Sequence, residues 1–229
     1  VFAQLDPAVC VRWQHRDGDA VDAGARIADI DGPLRSILTG ERTALNFLGH
    51  LSGVATLTRA FVDAVEATGS DTRVWDTRKT TPGLRGLEKA AVRAGGGANH
   101  RGNLSEWVML KDNHLALLAK QGVGLAEAVR RAKAAVGPMV RVEVEVESLA
   151  DALVAAEAGA SMILLDNMPP PQLAEVVQAI GDRASRARAL FTAGSSADHL
   201  LDQEAALARY REALAATGWL PRCLRTSPR

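Results

Sequence analysis

Between residues 74 and 191 short apolar runs alternate with longer segments of helical period, and no other feature restricts the fold as tightly. Val74-Trp75-Asp76-Thr77, Trp107 to Leu110, Val140 to Val146, Met162 to Leu165 and Ala189 to Phe191 read as strands. Gly83 to Ala94, Leu125 to Val136, Leu149 to Ala158 and Pro171 to Ile180 read as helices. Gly95-Gly96-Gly97, Gly137-Pro138 and Gly159 supply the stops. Strands joined through helices pair in parallel, because the crossover returns the chain to the same end of the sheet. The predicted class is α/β, and a unit spacing of roughly 25–35 residues suits a barrel or a doubly wound sheet.

The opening of the chain follows a different pattern. Val9-Cys10-Val11-Arg12-Trp13 and Ala25 to Ile30 have strand character, separated by Asp17-Gly18-Asp19 and Ala23-Gly24, and Gly32-Pro33 ends the second run. Hairpins of this size do not fold alone, so a small β module packed on something else is expected. From Thr39, read as an N-cap, Leu45, Leu48, Leu51 and Val54 form a helical stripe that Leu57, Phe61 and Val65 continue to Gly69. Ser52-Gly53 is a weak point, so one long helix or two abutting ones fit. The chain opens at Val1 in what reads as mid-element, which suggests a preceding segment.

Lys plus Arg and Asp plus Glu each total 27, and the zero balance disfavours nucleic acid or an anionic membrane as a partner. Cys10 and Cys223 match no metal spacing, and a cytoplasmic location is expected. No apolar run approaches the roughly 18 residues of a membrane span. Aromatics are 4% of the chain, which leaves Ala, Val and Leu to build the core.

Chemistry concentrates after the strands. Asp76-Thr77-Arg78-Lys79-Thr80-Thr81-Pro82-Gly83-Leu84-Arg85 brings cations, hydroxyls and a helix N-terminus together, a set suited to a carboxylate or phosphate. Between Arg78 and Arg101 the only acid is Glu88. Lys89 and Arg93, one turn apart, fit a solvated basic face as well as a ligand contact. Gly95 to Gly97 lead into Ala98-Asn99-His100-Arg101, where glycine would let backbone approach a ligand and His100 and Arg101 would touch it. Lys111-Asp112-Asn113-His114 follows another strand; Lys111 reads as functional, while Asp112 and Asn113 suit a turn and helix cap. Val142-Glu143-Val144-Glu145-Val146-Glu147 alternates strictly, placing carboxylates on one strand face and valines on the other. Asp166-Asn167 ends the next strand. Carboxylates at neighbouring strand ends can hold Mg²⁺ with waters and a pyrophosphate, or stabilise a developing positive charge.

These segments, in this order, resemble the quinolinate phosphoribosyltransferases. The matching stretches are Glu41 to Asn46, Leu51 to Thr56, Asp76 to Arg85, Glu88-Lys89, Gly95 to Arg101, Lys111 to His114, Glu143 to Val146 and Leu165 to Asn167. The resemblance covers about residues 1–185. It implies an incomplete, TIM-like α/β barrel plus part of an N-terminal α/β open-sandwich domain. The expected division is 1–38 for the sandwich remnant, 39–195 for the barrel and 196–229 for a divergent tail. It further implies transfer of phosphoribose from phosphoribosyl pyrophosphate to quinolinate with loss of CO₂, aided by Mg²⁺, in a homodimer or larger homo-oligomer. By position in the motifs, Arg42 would come from the neighbouring subunit. Thr77, Arg78, His100, Arg101 and Lys111 would bind quinolinate, with Lys79 close to the diphosphate. Glu145 and Asp166 would face the ribose and the metal, making Lys79, Lys111, Glu145 and Asp166 the catalytic set. Gly194 and Ser195 are candidates for the 5′-phosphate. The competing reading is a non-catalytic anion binder or partner subunit that kept the quinolinate side alone.

Overall fold

A computed structural model of the chain describes residues 1–70, 72–183 and 188–191, with backbone alone for 182, 183 and 188–191. The elements in order are α1 (Phe2–Leu5), β1 (Cys10–Trp13), β2 (Ala28–Asp31), α2 (Leu34–Glu66), α3 (Arg85–Ala94), β3 (Val108–Leu110), α4 (Asp112–Ala119), α5 (Leu125–Val136), β4 (Val142–Val146), α6 (Leu149–Glu157), β5 (Met162–Leu165), α7 (Pro170–Arg183) and β6 (Arg188–Phe191). They form two compact units. One comprises Val1–Asp63 and Thr72–Gly102; the other comprises Ala64–Asp71 and the chain from Asn103 onward.

In the first unit β1 and β2 pair antiparallel, with Cys10 opposite Asp31 and Trp13 opposite Ala28. The helix expected from Thr39 begins earlier, at Leu34 directly after Pro33. Proline presets the helical φ and its missing N–H is no loss in a first turn. Thr39 is therefore inside the helix, and its hydroxyl donates to the Arg35 carbonyl at 2.8 Å instead of capping. α2 runs 33 residues through Ser52-Gly53 without a break. A helical glycine costs only about 1 kcal/mol, which 33 residues of continuous helix readily absorb. The expected strand at Val74–Thr77 is reduced to a single parallel bridge between Trp75 and Ala98.

In the second unit β3, β4, β5 and β6 form a parallel sheet in sequence order. This is the α/β architecture that the alternation predicts; among the described residues the sheet is an open row of four strands, not a closed barrel. Val144, Val146, Ile163 and Leu165 point to one face and pack on Val129 of α5, Ala152 and Ala155 of α6, and Leu173, Val176 and Ile180 of α7. Small alanines on α6 let that helix lie close to the sheet. In register, Met109 lies opposite Glu143 and Glu143 opposite Met162, while Glu145 lies opposite Leu164, so the carboxylates share the other face. The helix α4 was not anticipated; its eight residues, Asp112–Ala119, include no buried side chain, so no apolar stripe announces it.

Ile163 has no exposed surface, whereas Met139 is 93% exposed. Ile163→Ala is expected to lower stability by about 2–5 kcal/mol and Met139→Ala to change it by less than about 0.5, as measured by urea unfolding. Equal effects would mean that the sheet face bearing Ile163 is not the core.

Candidate active site

Segment 76–81 is fastened to α3 by three charged residues of that helix. Arg85, Glu88 and Lys89 stand at i, i+3 and i+4, hence on one face. Asp76 receives the Lys89 ammonium at 2.5 Å, the His100 backbone N–H at 2.7 Å and the Asn99 side-chain amide at 2.6 Å. Lys89 also donates to the His100 carbonyl at 3.0 Å, and Asn99 to the Lys89 carbonyl at 2.9 Å. The paired side chains retain only 10% and 7% of their exposure. A buried ion pair is tolerated when its remaining hydrogen-bonding capacity is met, and here it is. Lys89 is thus not on a solvated face: it is paired with Asp76. Arg93 is exposed and bonds the Asn99 side-chain oxygen.

The Asp76 carboxylate therefore ties together the two stretches that carry Thr77, Arg78, Lys79, His100 and Arg101. Arg101 is buried, and His100 meets Trp75 edge-on, with ring centroids 6.1 Å apart. Arg78 is half-buried; its Nε is fully covered and has no hydrogen-bond partner among the described residues. Thr77 is exposed and accepts the Lys79 N–H at 3.0 Å. A cavity of about 260 Å³ is lined by Asp76, Thr77, Lys79, Thr80, Thr81, Glu88 and Lys89, with Val54 and Val92 as its apolar walls.

The glycine run serves packing. A Cβ on Gly95 would collide with the Ala55 carbonyl, and one on Gly97 would come within 2.8 Å of Thr58 and Val92 side-chain carbons. Only glycine lets this loop lie against α2.

Glu88 is the residue that the sequence reading noted without giving it a role. It is buried, with one oxygen 2.8 Å from His50 Nε2 and the other accepting the Thr81 backbone N–H at 3.1 Å. Burial pushes its pKa up, but the hydrogen bonds from Thr81 and His50 outweigh it and hold the carboxyl below its ordinary range.

In the second unit Lys111 follows β3 and pairs with Glu145 of β4 on the neighbouring strand. The Lys111 N–H is accepted by His114 Nδ1 at 3.0 Å, so His114 supplies half of a capping arrangement for α4. Glu143 has no exposure and accepts the Trp107 indole N–H at 2.9 Å, which is how that carboxylate is tolerated inside a parallel sheet. Asp166 is half-buried after β5, its N–H bonded to the Val146 carbonyl at 3.0 Å. Asn167 turns the chain with φ of 54° and donates to Glu147 at 2.7 Å. Arg42 lies exposed on α2. Gly194 and Ser195 lie outside the described residues. No group of three or more His, Cys, Asp or Glu side chains among the described residues could cage a metal. Glu145, near the end of β4, and Asp166, just after the adjacent β5, put two carboxylates at neighbouring strand ends, the donor type that a hard cation takes.

Lys89→Met is expected to destabilise the chain by about 3–5 kcal/mol, since it strands the Asp76 carboxylate in a dry site. Adding Asp76→Asn should recover much of that loss in urea unfolding; strictly additive losses would mean the two charges are not coupled. Glu88 has a folded-state pKa below its unfolded one, so its contribution is whole above the unfolded value and disappears as pH falls through the folded one. The stability gap between the parent and Glu88→Gln should be present at neutral pH and close as the pH falls below the ordinary glutamate range. A gap independent of pH would contradict that assignment.

Two family profiles match successive parts of this chain. Residues 1–52 match the quinolinate phosphoribosyl transferase N-terminal domain, and residues 54–208 match the C-terminal domain of the same family. A probable nicotinate-nucleotide pyrophosphorylase (carboxylating) of Methanothermobacter thermautotrophicus is 44% identical over 176 residues, covering 77% of this chain and 61% of that protein. The human nicotinate-nucleotide pyrophosphorylase (carboxylating) is 43% identical over 173 residues, covering 76% of this chain and 56% of its own length. The crystal structure of NadC from Streptococcus pyogenes superposes with a TM-score of 0.76 at 45% identity, covering 85% of this chain and 66% of that one. The chain thus spans about three-fifths of the length of the curated relatives that it matches. With the profiles of both domains following one another along the sequence and a solved relative sharing the fold, the chain belongs to the quinolinate phosphoribosyl transferase family.

Proposed function

We propose that this chain transfers phosphoribose from phosphoribosyl pyrophosphate to quinolinate, releasing pyrophosphate and CO₂ and leaving nicotinate mononucleotide. That reaction makes it a nicotinate-nucleotide diphosphorylase (carboxylating), a pentosyltransferase of NAD biosynthesis. The observation that carries the reading is Arg78. Its Nε is buried without a partner among the described residues, in a loop already shared with Thr77 and Lys79 and tied to His100 and Arg101. A guanidinium held in place with an open donor suits a planar carboxylate, and quinolinate carries two carboxylates.

The residues divide the work by charge. Arg78, His100, Arg101 and Lys111 bind the dianion, and Lys79 faces the diphosphate of the co-substrate. Glu145 and Asp166 lie on the ribose side, where carboxylates stabilise the oxocarbenium character that develops as pyrophosphate leaves. The pyridinium nitrogen formed on transfer stabilises the electron pair left on ring carbon C2 as CO₂ departs, and that carbon then takes up one proton to give nicotinate mononucleotide. Mg²⁺, when bound, would neutralise and orient the leaving pyrophosphate, with Glu145 and Asp166 as the residues to hold it. Gly194 and Ser195 would take the 5′-phosphate.

The same reading makes the parallel sheet part of an incomplete barrel over 39–195, residues 1–38 part of the sandwich domain, and 196–229 a divergent tail. It also makes the working assembly a homodimer in which Arg42 reaches the partner's site. Arg42 stands on the face of α2 that leaves Leu34, Leu38 and Leu45 exposed, an apolar stripe suited to a second copy. A cytoplasmic location fits the free, exposed thiol of Cys10. No described helix is long and apolar enough to cross a membrane.

Titration calorimetry should show quinolinate binding that Arg78→Ala weakens by roughly ten- to a hundredfold or more, the equivalent of a lost charged hydrogen bond. Unchanged affinity would remove Arg78 from the site. Mixing Arg42→Ala chains with Lys111→Ala chains should restore turnover that neither has alone, since a hybrid dimer holds one intact site. Hybrids that form and stay inactive would refute the sharing of Arg42.

A further inference from the structure

We infer that Glu88 is a positioning residue for the Lys79-Thr80-Thr81 segment: it fixes the backbone from which Lys79 and Thr80 present themselves to an anionic substrate. This rests on the reading under Proposed function, in which Lys79 faces a diphosphate.

Of the three charged residues on the α3 face, each holds one point of the segment. Lys89 holds Asp76 at 2.5 Å. Arg85 holds the Arg78 carbonyl at 3.3 Å and the Thr80 hydroxyl at 3.1 Å. Glu88 holds the Thr81 N–H at 3.1 Å. The Lys79 N–H donates locally to the Thr77 hydroxyl and the Thr80 N–H to the Arg78 carbonyl, each at 3.0 Å. Glu88 therefore ties the end of the segment to a helix, and His50 of α2 ties Glu88 at 2.8 Å. The carboxylate also lines the cavity that Lys79, Thr80 and Thr81 line. A negative charge in the wall of an anion site opposes the ligand. It is tolerable there if its function is to hold the cationic segment, and its two oxygens are both occupied in doing so. A carboxylate receiving a backbone N–H and a histidine is a stronger fastening than a neutral acceptor would be.

The test uses the full chain with Glu88→Ala, Glu88→Gln and His50→Ala. Amide hydrogen exchange at Thr81, without ligand, should accelerate by roughly ten- to a hundredfold in Glu88→Ala, the equivalent of losing a charged hydrogen bond. It should accelerate less in Glu88→Gln, whose amide oxygen still accepts the Thr81 N–H but as a neutral acceptor, and less also in His50→Ala. Affinity for phosphoribosyl pyrophosphate should follow the same order, with Gln rescuing Ala. Thermal melts verify that each variant is folded at the temperature used. Unchanged Thr81 exchange in folded Glu88→Ala would overturn the proposal. So would Gln matching Ala in exchange, since that would make the charge, not the fastening, the operative feature. A parent chain that fails to bind the co-substrate would instead refute the functional reading, and Thr81 exchange would still decide whether Glu88 holds the segment.

Discussion

The ion pair between Asp76 and Lys89 is the contact on which the first unit's chemistry depends. A single carboxylate, 7% exposed, gathers donors from α3 and from the loop after it, and so fixes two stretches that are more than twenty residues apart in sequence. Backbone hydrogen bonds between Ala98 and both Val74 and Asp76, at 2.8 and 3.0 Å, run beside it and join the same two stretches. The pair is in a dry place, where its attraction is strong and its desolvation costly, and the three further hydrogen bonds decide the balance. The glycines at 95 and 97 are the steric counterpart. They let the loop that carries Asn99 and His100 lie against α2, in reach of Asp76.

The second unit solves a different problem. A parallel sheet covered on one side by helices has to dispose of the side chains on its other face. The valines and Ile163 take the helix side, and Glu143 and Glu145 take the other, where Glu143 accepts a hydrogen bond from the Trp107 indole and Glu145 pairs with the Lys111 ammonium. Lys111 and Glu145 follow from the register of β3 against β4, because Leu110 opposite Val144 places the next residues side by side. The pairing of a strand-end cation with a strand-end carboxylate is thus set by backbone hydrogen bonding before any ligand is considered.

Much of this was legible in the sequence. The period change from two to 3.6, with glycine at each helix end, located α5, α6, β5 and β4 to within a residue or two, because buried strands and amphipathic helices leave strong patterns. The strict Val–Glu alternation shows which side chains of β4 share a face, but not that Glu143 is fully buried on the carboxylate side. Three things were not legible. Val74–Thr77 looks like a strand but makes one bridge, since its polar end is committed to Asp76's side-chain contacts rather than to a ladder. α4 has no buried face and hence no stripe. The glycine run packs closely on α2, which its sequence does not specify: it shows that backbone must come near something, not what. Glu88 was visible as the lone acid in a basic stretch, and that oddity was the available signal for a residue with a holding role.

The central claim is that this chain runs the family's reaction. The direct measurement is CO₂ release from carboxyl-labelled quinolinate by the purified chain, with and without phosphoribosyl pyrophosphate and Mg²⁺. The account predicts release that requires the co-substrate and appears in step with nicotinate mononucleotide. Tight quinolinate binding with no co-substrate-dependent release would contradict it and leave an anion-binding member of the family in its place.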